Sequence, residues 1–342
     1  MSRVRPLDAS VLIATFNRSA LLDETLDWLA RTSVSANRSW EVIVIDNNST
    51  DATREVVERH RANFPVPLVY LLERQQGRSS ALNAGIAIAR GRLLAFTDDD
   101  VRVGERWLDA ACDALLPGNE AVGYAGGPVR PIWSVAPPRW LDLSRGDLWG
   151  TIAIQDHGPD AMSYDAARKV PLGANLAARA EVFDRVGGFR ADLGRADGRV
   201  LLGQEVPEWL IRVRAGGYTG VYLPRMEVHH HIPASRLTPK YFRRWWFGKG
   251  VSRAALERLQ PVTELGIDLR RTPHILGVPR FMYGSLLRDA ASLLKALAAG
   301  RRETAFRHQM MIAFFAGYFS ARWRERRTRT LYRTSNVVRT GR

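Results

Sequence analysis

The stretch LLAFTDDD, Leu93 to Asp100, sets a short apolar run directly before three consecutive aspartates. A run of that length bounded by polar residues predicts a buried strand, and here the strand ends in concentrated negative charge. Working outward, the same design recurs toward the N-terminus. Ala9 to Ala14 (ASVLIA) leads into Thr15-Phe16-Asn17-Arg18 and then into a helical spacing through Leu21, Leu22, Leu26 and Leu29. Glu41 to Ile45 (EVIVI) leads into the polar turn Asp46 to Asp51 and a helix over Ala52 to Phe64, with Thr50 or Asp51 available as its cap. Leu68 to Leu72 reads as a third strand, and a loop at Gly77 precedes a helix from about Ser79 to Ala89. Strands alternating with helices predict an α/β fold, a Rossmann-like and mostly parallel sheet flanked by helices. Ligands of such sheets gather beyond the carboxyl ends of the strands, where Thr15, Asp46 and the aspartates all fall.

Adjacent carboxylates repel and raise one another's pKa unless a cation neutralises them. Mg²⁺ or Mn²⁺, which takes oxygen ligands and leaves positions open for phosphate oxygens, suits such a group. On an extended chain Asp98 and Asp100 alternate to the same side, which makes them the expected pair. The alternative is an acidic turn opening a helix after Val101. For Asp46 and Asn47 the alternative is an Asx turn joining strand to helix.

Composition narrows the partners. The 342 residues, 46% hydrophobic and 25% charged, fall in the globular range. A formal charge of +15 rests on 50 basic residues of which only Lys169, Lys240, Lys249 and Lys295 are lysines. Arginine favours bidentate contact with phosphate, so an anionic partner is expected. Cys112 is the only cysteine, which excludes an internal disulfide and a cysteine-based zinc site and fits a reducing cytoplasmic setting. Met1 to Asp8 lacks the apolar core of a signal peptide, and the longest apolar stretch, Met310 to Phe319, is about half of what a spanning helix requires.

Pro128 to Trp149 is rich in proline and tryptophan and reads as an irregular connection. Gly173 to Arg179, a helix from Ala180, a glycine turn over Val186 to Phe189, and Gln204-Glu205 opening a helix to Ala215 form a second block. Tyr218 to Leu223 and Glu227 to Ile232 read as short strands. Beyond Pro239 the chain turns helical and basic, with amphipathic segments near Phe281 to Leu297 and Thr304 to Ala321. The last stretch, Ala321 to Arg342, carries 8 arginines against one glutamate.

Taken together, SVLIATFNR, EVIVIDNNSTDAT, GRSSALNAGIAIARGRLLAFTDDDV and GANLAARAEVFDRVGGF resemble glycosyltransferase family 2, whose fold is termed GT-A, over roughly Ala9 to Arg236. The resemblance implies an inverting transfer of a sugar from a nucleotide-sugar donor, UDP-, GDP- or dTDP-linked, to a saccharide or lipid-linked acceptor, as in cell-surface glycan synthesis. By this resemblance Thr15, Phe16, Arg18 and Asp46 hold the nucleotide base and ribose, and Asn47 stands where the family often has a second aspartate. Arg78 and Asn83 lie near the donor. Asp98 and Asp100 match the family's DxD motif, which binds metal and diphosphate, with Asp99 between them at the donor. The family usually places its general base in a Glu-Asp pair at a helix start. Here the pair is Gln204-Glu205, so Glu205 takes the base position, with Glu208 in reserve. His230 aligns with a histidine that approaches the metal or diphosphate. Tyr241 to Trp246 (YFRRWW) is similar to the QxxRW signature of processive synthases, but Tyr241 stands where glutamine belongs, which favours single transfer.

The expected organisation is a catalytic domain over 7–235, with a nucleotide-binding half at 7–110 and an acceptor half at 111–235. A helical basic extension follows over 236–330, and a flexible tail over 331–342. The arginines flanking Met310 to Phe319 suit a helix lying on an anionic membrane, which would make the protein cytoplasmic and peripheral on the inner face of the membrane. Two competing readings share some of these features. A sugar nucleotidyltransferase uses a related sheet but normally opens with a glycine-rich phosphate loop, and a basic nucleic-acid or membrane-binding module leaves the strand-end aspartates unexplained. No nucleic-acid motif is present, so nucleic acid is not the expected partner.

Overall fold

The computed structural model describes residues 5–118, 120–144, 146–165, 169–193, 203–257, 260–261 and 268–339, with side chains described through 325. They form two compact units. The first gathers the described residues of Met1–Ala136, Leu143–Asp197 and Glu205–Ala234, and the second those of Pro137–Asp142, Gly198–Gln204 and Ser235–Arg342.

The first unit is built on β1 (Leu7–Thr15), β2 (Trp40–Asp46), β3 (Leu68–Leu72) and β4 (Gly91–Asp98), which pair in parallel in the order β3-β2-β1-β4. These are the four strands expected from the apolar runs. Both faces of β1, β2 and β4 are covered, which is why their sequences are continuously apolar rather than alternating. Helices α1 (Ser19–Ala30), α2 (Thr53–Arg61) and α4 (Trp107–Leu115) pack on one face around Val11, Ile13, Val42 and Val44. Helices α3 (Arg78–Ile88), α5 (Ala180–Val186) and α6 (Glu205–Ala215) pack on the other around Leu12, Ile43 and Phe96.

The sheet continues past β4 in mixed directions. Besides β5 (Val101–Val103), the later strands are β6 (Val122–Gly126), β7 (Val129–Trp133), β8 (Met162–Ser163), β9 (Asn175–Arg179), β10 (Thr219–Tyr222) and β11 (Val228–Ile232). Strand β9 lies antiparallel between β4 and β6, and β10 and β8 complete an eight-stranded sheet. A second sheet takes β5, β11 and β7 in that order. Two readings of the sequence change here. The chain after the aspartates continues as β5 rather than entering a helix, which removes the helix-start explanation of the triplet. Within the stretch expected to be irregular, Val129–Trp133 is a strand, held parallel to β11 through a pairing too distant in sequence to leave a local signal.

In the second unit, α7 (Pro239–Leu256), α8 (Arg280–Ala298) and α9 (Arg302–Arg339) pack around Ala254, Met282, Phe315 and Tyr318. The contact of α7 with α9 is close enough to exclude side chains. A Cβ at Gly250 would lie 2.0 Å from the Phe314 carbonyl oxygen, and one at Gly317 would lie 2.0 Å from that of Phe247. The buried Glu257 carboxylate receives the Tyr318 hydroxyl and pairs with Arg322, tying the end of α7 to α9. Met310, Phe315 and Tyr318 are buried in this packing, so the apolar face of Met310 to Phe319 is committed to the interior and is not a membrane face. Helix α9 runs through Arg339, across the stretch expected as a tail, while 340–342 lie outside the described residues. Among the described residues no helix is long and apolar enough to cross a membrane. Gly317→Ala is expected to force α7 and α9 apart at a cost of about 2 kcal/mol, read as a lower Tm by circular dichroism; an unchanged Tm would show that the helices are not locked at this crossing.

Candidate active site

The parallel register aligns the ends of three strands. Thr15 on β1 pairs with Asp46 on β2, and Ala14 pairs with Asp98 on β4. The loops leaving β1 and β2 are knitted together: Asn17, at φ 52°, accepts the Thr50 amide through Oδ1 at 2.7 Å, and Asp51 accepts the Ser19 amide at 2.9 Å. Phe16, beside this junction, stays exposed.

Asp46 is buried with both carboxylate oxygens engaged. Oδ1 accepts the Ser49 amide at 2.8 Å, the local turn contact anticipated as the alternative, and Oδ2 accepts the Tyr70 hydroxyl at 2.8 Å. Burial and the neighbouring carboxylate push the Tyr70 hydroxyl up to about 12, so it remains a donor. Tyr70 is a site residue that sequence reasoning missed; the available signal was a lone phenol inside the apolar strand next to β2. Asn47 is spent on the following loop. Its Oδ1 accepts the Gly77 amide at 2.7 Å, and its Nδ2 donates to the carbonyls of Glu73 at 3.1 Å and Gln75 at 2.8 Å.

Strand β4 stops at Asp98, and Asp99 and Asp100 form a turn before β5. Alternation along an extended chain therefore does not govern them. Instead, one guanidinium nitrogen of Arg18, Nη1, reaches Asp99 Oδ1 and Asp100 Oδ2, each at 2.9 Å, while Thr15 Oγ1 donates to Asp99 Oδ2 at 2.8 Å. Asp98 accepts from Arg78 Nη2 at 2.7 Å. Asp99 and Asp100 are buried and Asp98 is partly open. Burial, with the charges of Asp100 and Asp98, raises Asp99 to about 6 against the pull of Arg18 and Thr15. For Asp98 burial acts upward too, but the Arg78 charge prevails and holds it below the ordinary carboxylate range.

Arg78, at the start of α3, links this cluster to α6. It also donates to the Gly173 carbonyl at 3.1 Å and stands 3.5 Å from Glu205 Oε1. A Cβ at Gly173 would come within 3.2 Å of the guanidinium nitrogens, so the small residue there leaves Arg78 its place. Glu205, the first residue of α6, is buried, and its Oε2 has no hydrogen-bond partner among the described residues. His230 on β11 is buried with Nε2 3.5 Å from Asp100 Oδ1.

The structure thus brings together Thr15, Arg18, Arg78, Asp98, Asp99, Asp100, Glu205 and His230. Two other expected residues are engaged elsewhere. Asn83 closes a pair of bonds with Phe189, accepting its amide at 2.8 Å and donating to its carbonyl at 2.7 Å. Glu208 holds Arg212 at two points, each 2.8 Å, and Arg212 in turn donates to the Gly188 carbonyl at 2.7 Å and to that of Val186. Trp245 and Trp246 belong to the second unit, where Lys249 lies over both rings at 5.5 and 5.0 Å.

Four carboxylates here face two guanidinium groups, so the cluster keeps a demand for positive charge. Among the described residues no three acidic, histidine or cysteine groups form a ready-made metal cage. Mg²⁺ and Mn²⁺ complete their coordination with substrate phosphate oxygens and water, and the hard oxygens of Asp98 and Asp100 are compatible with such a cation.

Residues 10–147 match glycosyl transferase family 2. The succinoglycan biosynthesis protein ExoM of Rhizobium meliloti is 27% identical over 253 residues, 73% of this chain and 75% of that protein. A glucosyl-dolichyl phosphate glucuronosyltransferase of Haloferax volcanii is 22% identical over 222 residues, 64% of this chain and 68% of that protein. The mannosyltransferase PcManGT from Pyrobaculum calidifontis, solved with GDP-Man and Mn²⁺, superposes with a TM-score of 0.63 at 19% identity, covering 93% of this chain and 87% of its own. The fold and the family match together define a glycosyltransferase with the GT-A architecture. Residues 10–147 carry a glycosyltransferase family 2 domain, and the relatives support that assignment. This sets aside the nucleotidyltransferase and binding-module readings.

Because Glu208 holds Arg212 against the turn at 186–188, Glu208→Ala is expected to cost about 1–2 kcal/mol. Urea unfolding checks this, and undiminished stability would detach Glu208 from that structural task.

Proposed function

We propose that the chain is a metal-dependent, inverting transferase that moves a sugar from a UDP-, GDP- or dTDP-linked donor to a saccharide or lipid-linked acceptor in cell-surface glycan synthesis. The observation that carries this reading is the link from Asp98 through Arg78 to Glu205, which joins a cation-demanding carboxylate cluster to a buried acid with one free oxygen. Asp98 and Asp100, with His230 beside them, would hold the cation, and a bound Mn²⁺ or Mg²⁺ supplies positive charge for the departing diphosphate. The Mn²⁺ and GDP-Man named with the Pyrobaculum structure support a cation and a nucleotide sugar. The succinoglycan and dolichyl phosphate named in the relatives support a glycan or lipid-phosphate acceptor.

On the donor side, Asp46 is presented by Tyr70 and Ser49, and the exposed Phe16 ring offers a face on which a nucleobase can stack. Thr15 and Arg18 fix Asp99 and Asp100 from below. Asn47 and Asn83 act one step back, by shaping the loops at 73–77 and 187–189. Arg78 is placed to follow the developing charge, because it already contacts both Asp98 and Glu205.

On the acceptor side, inversion requires a base that takes the proton of the attacking hydroxyl. Glu205 has the position and an uncommitted oxygen, whereas both oxygens of Glu208 are held by Arg212. The protein is placed in the cytoplasm, at the inner face of the membrane, where lipid-linked acceptors would reach it.

The test is incubation with a panel of UDP-, GDP- and dTDP-sugars and Mn²⁺, following free nucleoside diphosphate. One nucleotide is expected to be turned over, and Glu205→Gln should lower kcat at least about 100-fold while leaving donor affinity in place. Turnover of no nucleotide sugar, or full kcat in the Glu205→Gln variant, would overturn the assignment.

A further inference from the structure

We propose that the outer face of α8, with the hairpin tip that precedes it, is a docking surface for an anionic lipid bilayer. The inference deepens the inner-face placement proposed above and rests on it, but does not depend on the transferase chemistry. It is also distinct from the segment Met310 to Phe319, whose apolar side chains are used inside the second unit.

The sequence of α8 writes two parallel rows on its exposed side. Leu287 and Leu294 are seven residues apart and 70 and 68% exposed, and Arg288 and Lys295, each one residue further, are exposed beside them. Seven residues is two helical turns, so each pair stands on one line along the axis. The opposite side of α8 is the packed one, where Met282 and Ala296 are buried. The only acid on the helix, Asp289, is turned to α9, where it meets His308 Nδ1 at 2.7 Å. No carboxylate of α8 therefore competes with the basic row.

A second exposed apolar group sits on the hairpin His274–Ile275 and Val278–Pro279. Its tip exposes Ile275 at 47% and Leu276 at 68%, with Leu276 at φ 52° and Gly277 at φ 78° making the reversal. The Tyr283 hydroxyl donates to the Ile275 carbonyl at 3.0 Å, which fastens the tip to the first turns of α8. A non-glycine residue held in the left-handed region to display a leucine is a costly arrangement for a solvent loop.

Leucines in water are explained by a surface that takes them up, and the adjoining arginine and lysine specify its sign. A bilayer with anionic headgroups satisfies both rows at once: the leucines enter the acyl boundary while the cations reach phosphate. A second copy of the chain fits poorly, because a symmetric contact sets the basic rows against each other on molecules that each carry a formal charge of +15. A nucleic acid would use the cations and leave the leucines exposed.

The experiment is flotation of the full chain with vesicles of phosphatidylcholine alone and of phosphatidylcholine with phosphatidylglycerol, at low and high salt. Wild type should float with the anionic vesicles at low salt and remain in the aqueous fraction with the neutral ones. Leu287→Gln/Leu294→Gln and Arg288→Glu/Lys295→Glu should each lower partitioning at least about tenfold, with wild-type Tm and wild-type nucleotide-sugar turnover in the absence of vesicles. Equal flotation of the variants and wild type, or absence of wild type from anionic vesicles, would overturn the proposal. So would a wild-type dimer in light scattering that the leucine variant dissolves, since that would assign the face to a second copy. Wild type that floats with anionic vesicles yet turns over no nucleotide sugar would instead strike the transferase reading alone.

Discussion

The site depends on burying negative charge at the ends of parallel strands. Asp99 and Asp100 have left water, and their repulsion is contained by one guanidinium group, Arg18, with the Thr15 hydroxyl bracing one side. Asp98 is held by a second, Arg78. A buried carboxylate without such partners would take up a proton instead, and the rise of Asp99 to about 6 shows how near this cluster stands to that limit. The aligned ends of β1, β2 and β4, the turn at Asp99-Asp100 and the start of α3 are what deliver these groups to one place. The same restraint reaches Glu205, because the arginine that holds Asp98 is also the nearest cation to that buried acid.

The parts of the fold legible in the sequence are those whose signal is local and physical. Strands β1, β2 and β4 are covered on both faces, so each appears as an unbroken apolar run. Polar residues that follow such runs fall at the ligand-binding edge whatever the chemistry, and this located Thr15, Asp46 and the aspartates before any geometry was known. The resemblance implies Arg78 near the donor; the structure shows it in contact with Asp98 and 3.5 Å from Glu205.

What was not legible depended on partners distant along the chain. On an extended backbone Asp98 and Asp100 would alternate to one side, whereas the chain turns at Asp99. Asn83 and Glu208 carry the residue types of a site, yet Asn83 is bonded to the backbone of Phe189 and Glu208 to Arg212, which in turn reaches the carbonyls of Val186 and Gly188. Strand β7 exists because β11 lies beside it, and no local periodicity announces that pairing. Met310 to Phe319 and α8 carry comparable amphipathic patterns; only packing reveals that the first faces the interior of its unit while Leu287 and Leu294 face out.

The account stands on the carboxylate cluster acting as the cation anchor for a nucleoside diphosphate. Isothermal titration of UDP, GDP and dTDP, in Mn²⁺ and again in chelator, measures this without relying on an unidentified acceptor. Wild type is expected to bind one of the three, with affinity falling at least about tenfold in chelator, and Asp98→Ala/Asp100→Ala should show the weak affinity under both conditions. Equal affinity of the double variant and wild type in Mn²⁺, with the same response to chelator, would contradict it.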